Sequence, residues 1–226
     1  MRSFFLIYLL VIVGSVVAQN PTALNFAMAS HPVVATKFTT NGQTSAIFFR
    51  LTNQIDGGYF CLSPQVEASN TVRKYQRNRS KMLGMPTCPD VHKFQTIGET
   101  IDFELDYKSF PKNLLYVDIL EKCDDNCLEI RGLVLNDSLN SRINMAYAFF
   151  EESKFEMAAA IYESLAMGSK EYPFGIHLFN AIHAYAQCGK FTEAKLLYNK
   201  LKASNFVDTN QLLGRLRMLP YFSKLL

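Results

Sequence analysis

Residues 144–165 read NMAYAFFEESKFEMAAAIYESL, and residues 180–201 read NAIHAYAQCGKFTEAKLLYNKL. The two stretches stay in register at an offset of 36 residues. Phe155 matches Phe191, Ala158 matches Ala194, Tyr162 matches Tyr198 and Leu165 matches Leu201. Phe149 and Tyr185 keep the same register with two different aromatics. Ala158, Ile161, Tyr162 and Leu165 recur at i, i+3, i+4 and i+7, and so do Ala194, Leu197, Tyr198 and Leu201. Leu178, Ala181, Ile182 and Tyr185 repeat the spacing. Each set is one apolar stripe on a helix. A repeated unit of this kind buries its stripe only by stacking on a neighbour, so the pattern predicts an all-α array over residues 137–226. Ser153 followed by Glu156 has the spacing of a capping box and predicts a helix start. Gly168 and Gly189 predict helix ends. Asp208 or Thr209 predicts the cap of a last helix that contains Leu212, Leu216 and Leu219.

Upstream of Asn136 the period changes. Residues 100–107 read TIDFELDY, where Ile101, Phe103, Leu105 and Tyr107 alternate with Asp102, Glu104 and Asp106. That period of two belongs to a half-buried strand. Residues 33–39, 45–53, 59–62, 114–120 and 128–135 add further short apolar runs. Asn41-Gly42, Asp56-Gly57-Gly58 and Lys112-Asn113 break the runs as turns. Six or seven short strands with no helical segment between them predict an all-β antiparallel sandwich over residues 19–136. The expected architecture is therefore two domains, all-β and then all-α.

At the start of the chain, Arg2 precedes an apolar run from Phe4 to Val13, and Val16-Val17-Ala18 supplies small residues before Gln19. This predicts a signal peptide over residues 1–18 and a secreted or periplasmic protein. The run is shorter than the roughly 20 residues a spanning helix needs, so no integral membrane segment is expected after cleavage. In an oxidising compartment the five cysteines matter. Asp124-Asp125-Asn126 reads as a tight turn and favours a Cys123–Cys127 disulfide. Cys61 then pairs with Cys88. The rival reading of Cys123 and Cys127 is a redox or metal site. A redox dithiol normally uses a CxxC spacing at a helix start, and no second metal-spaced pair exists.

The chain has 226 residues, 49% hydrophobic and 19% charged, with a net charge of +3. That composition excludes an intrinsically disordered chain, and the charge is too small to point to nucleic acid. Arg73 to Lys81 is the densest basic run, read as a soluble inter-strand loop or a polyanion patch. Asp102, Glu104 and Asp106 share one strand face, read as a solvated face or a cation site. His177 and His183 are six residues apart and do not share a helix face, and no GxSxG, HExxH or phosphate-binding glycine loop is present. No catalytic residue, cofactor or metal site is expected.

The aligned aromatic, Ala and Tyr positions of the two repeats resemble tetratricopeptide repeats over roughly residues 139–205. Arg142 and Leu178 stand where that family places a large aromatic, and its proline is displaced to Pro173. The resemblance implies a concave face built from the first helix of each hairpin. Its inward positions are Asn140, Ile143, Asn144, Tyr147, Phe150 and Glu151 in the first unit, and Phe179, Asn180, His183 and Gln187 in the second. Of these, Asn144, Tyr147, Glu151, Asn180, His183 and Gln187 are the candidate partner-binding residues. A peptide held there sits by side-chain amides and apolar contacts, unless the sandwich or the last helix already fills the groove. The sandwich is expected to cover the open N-terminal end of the array. The second unit also resembles a pentatricopeptide repeat, in which Asn180 reads an RNA base. One such unit in an exported, near-neutral chain is too little for RNA. The N-terminal half, in LLYVDILEKCDDNCLEIRGLVLN, is similar to immunoglobulin-like sandwiches of secreted bacterial proteins. Together these imply an exported, non-enzymatic protein-interaction or scaffold module, with a carbohydrate- or small-ligand-binding sandwich as the alternative.

Overall fold

The computed structural model describes residues 23–70, 74–76, 83–168 and 171–226. The expected signal peptide lies outside the described residues. So does the basic run from Arg73 to Lys81, apart from the backbone of Lys74–Gln76. Among the described residues the strands are β1 (Met28–Ala29), β2 (Val33–Thr40), β3 (Thr44–Thr52), β4 (Tyr59–Phe60), β5 (Val66–Ser69), β6 (Lys74–Gln76), β7 (His92–Lys93), β8 (Thr100–Lys108), β9 (Tyr116–Glu121) and β10 (Glu129–Val134). The helices follow as α1 (Asp137–Glu151), α2 (Phe155–Gly168), α3 (Ile176–Gln187), α4 (Phe191–Lys202) and α5 (Thr209–Arg217), with a closing 3₁₀ turn at Phe222–Leu225. A strand-rich half thus precedes a helical half.

All the strand pairs named here are antiparallel. One sheet runs β2-β3-β8, a second runs β1-β10-β9-β5-β6, and β4 pairs with β7. The alternation read in residues 100–107 survives in β8, where Phe103, Leu105 and Tyr107 are buried and Asp102 is exposed. Their partners across the ladder are Phe49, Ile47 and Ser45, and the Phe49 and Phe103 rings stack at 5.2 Å. These side chains meet Val66, Ala68, Val117, Ile119, Ile130 and Leu133 from the second sheet in one core. Burial of apolar area from both sheets is what holds this half together. Cys61–Cys88 and Cys123–Cys127 are both disulfides. Buried Glu121 ties the two bridged segments together. One of its carboxylate oxygens accepts from Ser63 N–H at 2.5 Å and the other from Leu128 N–H at 2.7 Å.

In the helical half α1 packs on α2, α2 on α3 and α3 on α4. Ala158, Ala194, Leu165 and Leu201 are fully buried, and Tyr162 and Tyr198 nearly so. The equivalence extends to the backbone. At the end of α1, Ser153 N–H donates to Phe150 O and Lys154 N–H to Phe149 O. At the end of α3, Gly189 N–H donates to Ala186 O and Lys190 N–H to Tyr185 O. Both ends are Schellman motifs with a left-handed C′ residue, Ser153 at φ 58° and Gly189 at φ 77°. This corrects the capping-box expectation. Ser153 closes α1 instead of opening α2, because the left-handed turn places it outside the next helix. Asp208 stands at the N-cap of α5, as expected, and its carbonyl accepts from Leu212 N–H at 2.9 Å, but its side chain makes no cap hydrogen bond. Its carboxylate instead accepts from Gly175 N–H, before α3, at 2.6 Å.

The two halves are joined through packed contacts. The helical core includes Tyr116 and Val134 from β9 and β10. Asn136 caps α1, its side chain accepting from Leu139 N–H. Tyr172 donates its hydroxyl proton to Gly132 O at 2.7 Å. Gly132 sits at φ 65°, and a Cβ there would lie 2.8 Å from the Phe174 ring and the Tyr172 hydroxyl. Only glycine permits that approach.

Candidate binding surfaces

Positions 144, 147 and 151 on α1 are the 36-residue equivalents of 180, 183 and 187 on α3. The two first helices meet where the Phe150 ring stacks on His183 at 5.2 Å. The expected groove residues therefore lie on neighbouring helices, but the chain itself engages several of them.

At the N-terminal end of the groove stands Asn25, carried by the segment before β1. Asn25 N–H and its side-chain amide both donate to Asn140 Oδ1, at 2.8 and 3.0 Å, and the amide also donates to Asn144 Oδ1 at 2.9 Å. Asn140 in turn donates to Val134 O at 2.9 Å, and Val134 N–H donates to Asn25 O. Asn140 is buried and fully used in holding the strand half on α1. This cover is partial, which corrects the expectation of a closed N-terminal end. Leu139, Asn140 and Ile143 are buried, whereas Ser141, Arg142, Met145 and Ala148 are exposed.

At the other end the C-terminal segment covers His183. Its Nδ1 and the Tyr221 hydroxyl are 2.5 Å apart, and the Phe179 ring is stacked below it at 6.4 Å. Arg215 lies over Phe179 at 4.6 Å. Burial, and then the Arg215 charge, hold the His183 imidazole below its ordinary pKa. The segment is fastened along α4 as well. Phe222 meets Tyr198 edge-on, Lys224 lies over Phe191, and Lys195 donates to Leu226 O at 2.5 Å.

Between these two covers lie half-buried Tyr147 and Asn180, and exposed Glu151 and Gln187. Partial burial and the Glu151 carboxylate push the Tyr147 phenol above its ordinary pKa. Tyr185 donates to Glu163 at 2.9 Å, and its pKa is pushed up to about 12 by burial and by that carboxylate. Tyr147 and Tyr185 are therefore hydrogen-bond donors near neutral pH. The strip offers the Tyr147 phenol, the Glu151 carboxylate and the Asn180 and Gln187 amides, which suit polar main chain in an extended or helical segment, whereas Tyr185 is turned to α2.

A second concavity, of about 380 Å³, opens where the halves meet. Its floor is the stacked pair Phe38 and Phe110, 6.1 Å apart. Thr40, Lys112, Asn136, Asp137 and Ser138 provide its polar rim. Nothing local in the sequence signals it, since its two aromatics come from β2 and from the segment after β8. Of the acidic strand face, Asp102 is in a two-pronged ion pair with Arg50 at 2.7 and 2.8 Å, and Glu104 lies beside Asp106 and Lys37. Among the described residues, no group of three or more His, Cys, Asp or Glu side chains is placed to hold a metal ion. Among the same residues, no helix is long and apolar enough to cross a membrane.

No family model matches the chain, and neither a curated protein nor a solved structure is significantly similar to it.

Proposed function

We propose that this is an exported, non-enzymatic protein-interaction module, in which an immunoglobulin-like sandwich carries a short tetratricopeptide-like array. The observation that carries the reading is that Tyr147 and Glu151 on α1 are the 36-residue equivalents of His183 and Gln187 on α3, two helices that meet where Phe150 stacks on His183. This is how a helical array presents a peptide groove. The matched Schellman ends of α1 and α3 support the array reading. The strand orders β2-β3-β8 and β10-β9-β5-β6 support the sandwich reading, since they follow the A-B-E and G-F-C order of immunoglobulin-like domains. The chain departs from antibody domains in having no Trp and in placing Cys61–Cys88 beside β4 and β7 rather than between the two sheets. The disulfides fit an oxidising compartment.

The test is selection from a displayed peptide library on the chain from residue 19 onward. Selected peptides should lose binding when Tyr147→Ala or Gln187→Ala is introduced. Removal of residues 221–226, which uncovers His183, should tighten it. Peptides indifferent to all three changes would overturn the reading.

The cleft over Phe38 and Phe110 favours a second reading, a carbohydrate- or small-ligand-binding sandwich. An aromatic floor with a polar rim suits a sugar ring. Ligand-induced NMR shifts confined to Phe38, Phe110 and Lys112 would decide for it.

A further inference from the structure

The cleft over Phe38 and Phe110 has a modification sequence on its rim. Asn136-Asp137-Ser138 has the Asn-x-Ser spacing at which N-linked oligosaccharide is attached to secreted chains. Asn136 stands between β10 and α1, with an extended backbone at φ −83° and ψ 118°. All three residues of the sequence are exposed. Asn136 Oδ1 accepts from Leu139 N–H at 2.8 Å and caps α1. Its Nδ2, the atom that takes the sugar, makes no hydrogen bond among the described residues. Capping and attachment therefore use different atoms of one amide, and the cap survives attachment.

Asn136, Asp137 and Ser138 also line the cleft whose floor is the stacked pair Phe38 and Phe110. A sugar joined to Asn136 Nδ2 thus starts beside an aromatic surface. Its C–H face can pack on the rings, while Thr40 and Lys112 on the rim can donate to its oxygens. At about 380 Å³ the cleft is at the small end of ligand-sized cavities and suits a single ring. Attachment makes the contact intramolecular, so a contact too weak to retain a free sugar is still populated.

We propose that Asn136 carries an N-linked oligosaccharide whose first N-acetylglucosamine seats on Phe38 and Phe110. The donor is a lipid-diphosphate-linked oligosaccharide of the secretory pathway. Asn136 Nδ2 forms a bond to C1 of the sugar, the C1–O bond to the diphosphate breaks, and the lipid diphosphate leaves with the electron pair. The displaced amide proton passes to a base of the transferase. The proposal rests on the exported reading, in its secreted rather than periplasmic form, and is independent of the peptide groove.

Peptide mass mapping of the full chain, expressed in its own organism, tests it. Removal of the oligosaccharide by peptide-N-glycosidase in heavy-oxygen water should convert Asn136 to labelled aspartate. Ser138→Ala should abolish the label, and Ser138→Thr should keep it. Aspartate caps a helix as well as asparagine does, so the same removal also reads the seat on the rings. In a Ser80→Ala background, which silences the second Asn-x-Ser at Asn78, removal should lower the thermal midpoint by about 2–4 °C. With Phe38→Ala added, that loss should disappear. Nuclear Overhauser contacts from the sugar to the Phe38 and Phe110 ring protons carry the test should Phe38→Ala unfold. A secreted chain with Asn136 unlabelled overturns the proposal and leaves export standing. A chain retained in the cytosol with its leader uncleaved overturns both. A midpoint unchanged by removal, or a loss that persists in Phe38→Ala, overturns the seat on the rings and the proposal with it.

Discussion

Ser153 occupies the same left-handed position as Gly189, one at the end of α1 and the other at the end of α3. An L-residue there carries a penalty of about 1–2 kcal/mol that glycine escapes. Glycine costs back part of this through unfolded-state entropy. Ser153→Gly should therefore stabilise by up to about 1 kcal/mol, and Gly189→Ala should destabilise by about 1 kcal/mol or more. Urea midpoints measured on both variants check this. A loss on Ser153→Gly would mean that the serine side chain has a role the backbone geometry does not reveal.

Asn140 is the hinge pin between the two halves. Replacing it by Leu leaves Asn25 N–H and Val134 O without their buried partner, at a cost of about 2–4 kcal/mol. The strand and helical halves should then unfold less cooperatively. Asn144→Leu removes the Asn25 contact at a half-buried site and should cost less. Calorimetry reads both the loss and any splitting of the transition.

The parts legible in the sequence are those with local periodicity. The alternation of residues 100–107 became β8, and the 36-residue offset became the equivalent burial of Ala158 with Ala194 and Leu165 with Leu201. Contacts between distant residues left no such trace. Asn25 and Asn140 are 115 residues apart, and His183 and Tyr221 are 38 apart. Each is a polar residue whose partner is fixed only by the packed fold, so two of the expected groove residues, Asn144 and His183, were already engaged within the chain. Ser153 misled for a different reason. Its spacing to Glu156 fits a capping box, but the six-residue Schellman closure of α1 takes the serine first.

The two disulfides should contribute unequally. Cys61–Cys88 closes a separation of 27 residues and Cys123–Cys127 one of 4. Loop-closure entropy assigns about 3–4 kcal/mol to the first and about 2 kcal/mol to the second. Replacing both cysteines of each pair by Ser and comparing thermal midpoints should show the larger drop for Cys61 and Cys88. The reverse order would mean that the β9–β10 turn is stabilised by more than chain entropy.

Ala194 and Lys195 test the register of the array. Ala194 is fully buried, and Ala194→Leu should destabilise by about 1–3 kcal/mol through overpacking. Lys195 is exposed, and its contact is with the Leu226 carbonyl. An exposed contact of this kind contributes little, so Lys195→Leu should cost less than about 0.5 kcal/mol. Equal losses in denaturant unfolding would contradict the equivalence of Ala158 and Ala194.

His177 should make the fold sensitive to mild acid. Its ring is stacked on Tyr172 at 5.4 Å, and neither ring nitrogen has a hydrogen-bond partner. Burial, with a smaller contribution from the Arg142 charge, lowers its pKa from 6.5 to about 4. Between those values the unfolded chain binds a proton that the folded chain refuses. Stability is therefore complete above about pH 6.5 and falls as the pH drops towards 4, by about 3 kcal/mol for this one group. His31 and His183 are lowered too and act in the same direction. Asp118 and Asp208 are raised by burial and act in the opposite one, because protonation relieves them as the pH falls. His177→Leu isolates the histidine. Chemical denaturation from pH 7 to pH 4 should show a shallower fall for the variant than for the wild type, with the difference opening below pH 6.5. Parallel curves for the two proteins would mean that the folded chain admits the His177 proton, and that the site under Tyr172 is wetter than its burial implies.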